Sequence, residues 1–542
     1  CLFSVVKGGS LTIQGNGTIT STVPGLDSLI QVKDGGVLNI EGGTFTNTNG
    51  IRAVTASGGT VNMTGGKLTG AQHGANGAGI LVLGGGKLQM TGGEISGNTS
   101  TTYGGGIRVN KGTAEISGGA VISGNTAKIS GGGISLSDGE LVIGGNAGIS
   151  QNTAYSYGGG ICSRDIASST GVVPSGKIVI QGGKISGNHS TQGGGIYATD
   201  ISMCGGEING NSAEVLRYGE KCGGGGIYVV NGTDRDGLKL TGGTVSKNTS
   251  AHVGGGIFVD VKVNAEISGK EAMVYITENE AMGNHGFSGG GIFVEHPDGS
   301  NEKGNLYVYN ALITNNQARY GGGVAGCGSS SVMIFSIEGV AIYDNIATEE
   351  SSDREDYKHS KDLFCDGLGQ VDSVMLGGIQ AEWTGRTTKD GKEEITFNEG
   401  VKELDHFYLK ANLSQEQEVQ IEELAKVIIK DNTSADGGGG IGGNGYMRLG
   451  EKPAEPDEPD EPDNPTTAMG SLTVKKAWND AGHEDSRPES VSVQLRQNGA
   501  AYGHAEALTE AGGWTHTWTN LPLADENGEA YVYRVEEPSP GE

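Results

Sequence analysis

Along most of this chain, apolar residues fall at alternate positions in runs of only three to five, and Gly, Asn, Ser or Thr bound each run. Alternation with a period of two is the mark of a strand with one buried face. The bounding residues are turn formers. The runs recur in a fixed order. "EISGNTSTTYGGGIRV" at 94–109 returns as "VISGNTAKISGGGISL" at 121–136 and as "GISQNTAYSYGGGICS" at 148–163. Each unit reads as a glycine triplet followed by I-x-V, then a short strand around a glycine pair, then I-S-G-N.

Aligned on the asparagine, the units carry Asn98, Asn125, Asn152, Asn188, Asn211, Asn248, Asn279, Asn316 and Asn345, with gaps of 27, 27, 36, 23, 37, 31, 37 and 29 residues. The short gaps define the unit, and the long ones carry inserted loops. Three short strands in so few residues predict a solenoid. One coil cannot bury its own apolar face, but stacked coils can, because each adds an Ile or Val to a shared interior column. Strands of successive coils then pair in parallel, and a dozen coils span roughly 60 Å. An Asn at the same turn of every coil can bond its counterparts above and below, as stacked amides do in parallel strand arrays. The triplet supplies a positive φ and close approach of the backbone at another corner.

The pattern breaks at residues 346–426, which are charged and include "SSDREDYKHSKDLFCDG". A helix is predicted from Gln415 to Lys426, capped by Ser414. One more coil follows at 427–450, with Asn432. The simplest account makes 346–426 an insertion between the last two coils, capping or flanking them and shielding open strand edges. "EKPAEPDEPDEPDNPTT" then alternates Pro with acids, a semi-rigid extended spacer over 451–469. Residues 470–542 change character: four or five alternating strands with three tryptophans predict a β-sandwich. Val491, Val493, Leu495, Trp514, Trp518, Leu521, Tyr533 and Val535 are its candidate core.

Composition narrows the function. The chain has 542 residues, 101 of them Gly, and aromatics make up 6%. A net charge of −27 argues against a nucleic-acid partner. The acids concentrate outside the repeats: 28 of the 64 lie between Glu349 and Asp463. No apolar run approaches the ~18 residues of a membrane helix. The chain opens without Met and ends abruptly at "EEPSPGE", which reads as an internal piece of a longer protein. The six cysteines form no CxxC and no zinc-like spacing with His. Sparse free thiols are expected, with Cys204–Cys222 the first choice if one disulfide forms.

Catalytic chemistry on a β-helix needs clustered carboxylates over adjacent coils, and the repeats carry few. "NGTDRDG", with Asp234, Arg235 and Asp236, has the start of a calcium loop but lacks the later ligands. Asp298 and Glu302 form a weaker pair. His73, His189, His252 and His285 sit near loops without a triad pattern and are read as solvated. No GxxxxGK[ST] occurs. No cofactor and no metal are expected. Tyr103, Tyr155, Tyr157, Tyr197, Tyr228 and Phe258 flank the glycine corners. In register and exposed, such rings stack on sugars; turned inward, they favour a mechanical stalk.

Two resemblances sharpen the picture. GGGI paired with I-x-x-N is similar to the repeats of the chlamydial polymorphic membrane proteins and to β-helical adhesin-like repeats of Gram-positive gut bacteria. It covers about 1–345 and resumes at Val427–Gly445. It implies a right-handed parallel β-helix on a cell surface, although the outer-membrane barrel of the chlamydial proteins has no counterpart here. The phrases K-x-W-x-D, RPxSVxVQLxxNG, LTExxxWxxxWxNLP and Y-x-V-x-E resemble the Cna B-type domain of Gram-positive surface adhesins. In that family a first-strand Lys joins a last-strand Asn in an isopeptide bond while a buried Glu shuttles protons. The resemblance places the Lys at Lys476, with Lys475 the competitor, and the Glu at Glu537. The strand bearing the Asn is absent from the chain, so no isopeptide bond is expected in it.

The resulting expectation is an all-β, extracellular, monomeric, non-enzymatic surface protein. Its solenoid contacts a host or dietary glycan or an extracellular protein, and membrane or wall attachment lies outside the fragment. A carbohydrate-active β-helix enzyme and a purely structural stalk are the alternatives.

Overall fold

The computed structural model describes residues 1–23, 25–47, 50–74, 76–164, 175–214, 222–232, 237–283, 288–296, 302–348, 361–387, 393–451, 469–478, 487–502, 505–510, 513–522 and 531–537. The chain divides into two units, Cys1–Pro453 and Ala454–Glu542.

The first unit is a parallel β-helix. Its coil lays strands on three sheets, and the first sheet takes two consecutive ones. In one coil these are Ile107–Asn110 and Thr113–Ile116 in the first sheet, Val121–Ser123 in the second and Thr126–Ala127 in the third. The second sheet stacks thirteen described strands, all parallel. Register is strict because each strand is half buried, and a slip of one residue would turn every Ile outward. Ile80, Ile107, Ile134, Ile161, Ile196, Ile227, Ile257 and Ile292 therefore form one column, each fully buried.

The glycine triplet follows from this packing. Its first member takes a positive φ, +64° at Gly104. Its third member lies against the asparagine of the next coil. A Cβ on Gly106 would stand 3.1 Å from the Asn125 amide nitrogen and 2.7 Å from the Gly133 carbonyl. The two motifs are thus two sides of one contact.

The coil at 427–450 is final in sequence but not in space, which corrects the expected order. Val427–Lys430 pairs on one side with Val274–Thr277 and on the other with Ala311–Thr314. Its other strands do the same: Ile441–Gly443 lies between Ile292–Val294 and Val324–Gly326, and Tyr446–Leu449 lies between Asn305–Val308 and Ser331–Ile334. The chain skips one coil position at Tyr309–Asn310, builds two further coils and an appended sheet, and returns to fill the gap. Asn310, at φ 51°, accepts the backbone N–H groups of Lys426 and Val427 on its carbonyl and so seats the returning coil. The fit is physically undemanding, since Val274, Val427 and Ala311 all present an apolar residue at the same register and all are fully buried.

Residues 346–426 hold more than the expected helix. Leu363–Asp372 continues the first sheet in parallel beyond Val324–Gly326, then pairs antiparallel with Val401–Asn412. Glu382–Thr387 and Glu393–Phe397 extend that hairpin sheet. It pairs with the open edge of the first sheet, a place where unpaired backbone would otherwise recruit other strands. Trp383 is fully buried and donates its indole N–H to the Asp372 carbonyl at 3.1 Å. The helix spans Gln415–Leu424, with Ser414 and Gln417 forming a reciprocal capping box.

In the second unit, Met469–Lys475 pairs antiparallel with Thr515–Pro522, and Ser490–Gln497 pairs with Ala500–Ala501, Glu506–Thr509 and Tyr533–Glu536. Val491, Val493, Leu508 and Trp514 form its core, with Val474, Trp478, Trp518 and Val535 packed around them. Leu495 and Leu521 are buried as well, and Tyr533 is half buried against Tyr502.

Candidate functional site

Four groupings could carry function: the asparagine column, the outward rings, a buried Arg–His pair, and the Lys476 region.

The asparagines form a continuous hydrogen-bonded column. The backbone and amide N–H groups of Asn98 both donate to Asn125 Oδ1, at 3.0 and 2.9 Å. The same two bonds link Asn125 to Asn152, Asn152 to Asn188, Asn188 to Asn211, Asn211 to Asn248 and Asn248 to Asn279. The inserted coil enters the column in its spatial place: Asn279 donates to Asn432, Asn432 to Asn316, and Asn316 to Asn345. Each amide also donates to a backbone carbonyl, as Asn125 does to Ile95. The column holds the turns; it presents no open chemistry.

Its last member was not foreseen. Asn345 donates its backbone and amide N–H groups to Asp362 Oδ1, and Asp362 Oδ2 accepts the Ala411 N–H at 3.0 Å. A carboxylate suits this end, where three donors arrive and no further coil needs an amide donor. Asp362 also pins the hairpin sheet to the column. The sequence signal was slight: Asp362 occupies the register position of a third triplet glycine, next to the paired residues Val324 and Leu363.

Complete burial pushes the Asp362 carboxyl up to about 6 from 3.8. A raised carboxyl binds its proton more tightly in the folded state, so its contribution to stability falls as pH rises from about 4 to 6. At 1.36 kcal/mol per unit the change is about 3 kcal/mol. Melting of the wild type, compared with Asp362→Asn between pH 4 and 7, is expected to show the wild type gaining relative stability on acidification across that window. A pH-independent difference would contradict the assignment.

The rings flanking the corners are in register, but on one another. Tyr157, Tyr197, Tyr228, Phe258 and Phe293 stack with centroids 4.8, 5.1, 4.1 and 5.2 Å apart. Tyr197, Tyr228 and Phe258 alternate with the interior residues of their strands, yet are only 5, 9 and 4% exposed. Tyr103 is buried too, with the Arg108 guanidinium 5.1 Å from its ring centroid. Tyr155 is exposed. Burial raises the Tyr197 and Tyr228 hydroxyls above the ordinary range.

The histidines are less solvated than expected. His73 meets the buried Arg52 guanidinium at 3.1 Å, and Arg52 in turn pairs with Asp27 at 3.0 Å. His189 Nδ1 lies 2.8 Å from Ser212 Oγ, and His252 Nδ1 accepts the Cys222 N–H. His285, Asp234, Arg235, Asp236 and Asp298 lie outside the described residues. Glu302 forms an ion pair with Lys262. Among the described residues no three His, Cys, Asp or Glu side chains are grouped to hold a metal. All six cysteines are free, and Cys204 and Cys222 form no disulfide.

In the second unit, Lys476 Nζ donates to Glu537 Oε2 at 2.6 Å and stands 5.2 Å from the Trp478 ring centroid. Lys475, one residue earlier, is exposed. The strand Met469–Lys475 brings the lysine in, and the end of Tyr533–Glu536 brings the glutamate. The side chains are 27 and 50% exposed, so as an ion pair they contribute at most about 1 kcal/mol.

Residues 472–541 match the Cna protein B-type domain. Over 70 residues this B-type unit is 44% identical to a collagen adhesin of Staphylococcus aureus, covering 12% of this chain and 6% of that protein. The chain thus spans a small part of the length of that curated relative. Among solved structures, two B repeat units of the collagen binding protein of S. aureus align at 18% identity, covering 30% of this chain and 38% of theirs, with a TM-score of 0.13. A single B repeat unit aligns at 18% identity, covering 29% and 74%, with a TM-score of 0.12. At those scores the superpositions carry no structural argument.

Proposed function

We propose that this chain is part of a cell-surface binding protein. The β-helix presents the binding surface, and the B-type unit belongs to the stalk leading to the cell wall. The observation that carries this reading is the B-type match at residues 472–541, with 44% identity to a collagen adhesin, joined in one chain to a long parallel β-helix. The ligand is an extracellular protein or glycan. Lys476 and Glu537 are read as the nucleophile and proton shuttle of an isopeptide-type site, because the lysine amine already donates to the carboxylate.

A second reading, a stalk without a ligand, draws support from the outward rings, which stack on one another and are mostly buried. The test exposes the full chain to immobilised collagen, other matrix proteins, mucins and plant polysaccharides. Retention without release of sugar is expected. Release of reducing or unsaturated ends would make it an enzyme, and no retention on any surface would leave the stalk.

A further inference from the structure

Where the hairpin sheet meets the last coils, two adjoining half-open cavities of about 330 and 320 Å³ share Lys361 and Lys410. The size is at the lower end of the range for small-ligand sites and gives room for one or two sugar rings. Strand register builds the first cavity. Lys410, Thr384 and Thr396 face one another across three antiparallel strands, and Arg386 pairs with Glu394 two residues along. Trp383, Leu409 and Ala411 alternate with them and are buried in the core, so the polar row faces out. Gly385, between Thr384 and Arg386, packs its backbone closely against Tyr408 and also lines the cavity.

The charges are unusual for this chain. In the first cavity Lys361 and Lys410 stand beside Arg386 and a single carboxylate, Glu394, whereas the second cavity adds Asp344 and Asp362; the cationic end is therefore the first cavity, in a protein of net charge −27. That carboxylate, Glu394, is 85% exposed and 3.9 Å from Arg386, so it neutralises little. Lys361 and Lys410 have no ion-pair partner among the described residues. Asn315 and Asn345 line the second cavity beside Asp344 and Asp362. Both Asp362 oxygens are already occupied by the Asn345 and Ala411 donors. Thr384 Oγ1 accepts from Asn412 and keeps its own hydrogen to donate.

We propose that the first cavity binds the carboxylate of an acidic sugar, with Lys361 and Lys410 holding the anion and Thr384 and Thr396 bonding ring hydroxyls. The proposal rests on the surface-binding reading and gives it a ligand class. Clustered amines select a negative group, and the hydroxyl row suits a polyol rather than an apolar ligand.

The test is calorimetric titration of the full chain with glucuronic acid, glucose and glucose 6-sulfate. Saturable binding of glucuronic acid is expected, weakened at least tenfold in Lys410→Ala and in Lys361→Ala and weakened by added salt, with no binding of glucose. Both lysines are exposed, so the variants should melt as the wild type does, and Lys410→Arg should retain most of the binding. Absent binding of glucuronic acid, or unchanged binding in the double Lys361→Ala/Lys410→Ala variant, would overturn the proposal. Equal or tighter binding of glucose 6-sulfate would overturn the carboxylate assignment. Should the titration fail while the full chain is still retained on the protein and glycan panel, only the pocket falls; loss of all retention removes the surface-binding reading itself.

Discussion

Replacing Ile429 with aspartate is expected to unprotect strands on both sides of the returning coil, Val274–Thr277 and Ala311–Thr314, in amide hydrogen exchange. Ile429 is fully buried and pairs with Ile276 on one side and Ile313 on the other. An unpaired carboxylate there leaves a buried charge without compensation, a loss of about 3–5 kcal/mol, on top of the lost apolar burial. In a linear array such a loss uncouples the two neighbours rather than unfolding everything at once. Coils before residue 243 should keep their protection. If 427–450 instead stacked last, after Val340–Tyr343, the damage would stay at that end, and intact protection at Val274–Thr277 would refute the inserted order.

The returning coil also marks the limit of what the residues alone reveal. The repeating unit is legible because each position answers a local demand: Ile or Val for the interior, Asn for the turn, Gly opposite the Asn. Those same demands make the coils interchangeable. Nothing in "VIIKDNTSADGGGGI" distinguishes a coil that follows Val340–Tyr343 from one that fits between Val274 and Ala311, so sequence order was the natural assumption. Asp362 escaped notice for a related reason: it does an asparagine's work from a glycine's position. The outward rings were placed correctly at the corners, but their burial depends on what lies over them, which no period encodes. His73 likewise sits near a turn, as read, but the Arg52 guanidinium it meets comes from the first strand of the same coil. In the B-type unit the alternation of Val491, Val493 and Leu495 was enough to find one wall of the core, but Leu508, buried against it, was not singled out.

The asparagine column should be the largest polar contribution to the solenoid, and Asn248→Ala should show it. Asn248 is fully buried and lies mid-column. Its Oδ1 accepts the Asn211 backbone and amide N–H groups at 3.0 and 2.9 Å, and its own amide donates to the Ile208 carbonyl and to Asn279 Oδ1. Truncation therefore strands two donors and one carbonyl where water does not reach. Each orphaned group costs about 1–3 kcal/mol, so a loss of about 4 kcal/mol is expected. The thermal melt should separate into two transitions as the segments before and after residue 248 lose their coupling. Asn264→Ala is the control: that side chain is exposed, bonds only Asn305 among the described residues, and should shift stability by less than about 0.5 kcal/mol. Asn248→Asp discriminates further. It keeps both acceptor bonds but removes the donors to Ile208 and to Asn279 Oδ1 and adds a buried charge, so it should be no better than alanine. The same carboxylate serves at Asp362 only because that end supplies three donors and asks for none. Equal, small effects of Asn248→Ala and Asn264→Ala would mean that the column follows from the coil geometry without holding it.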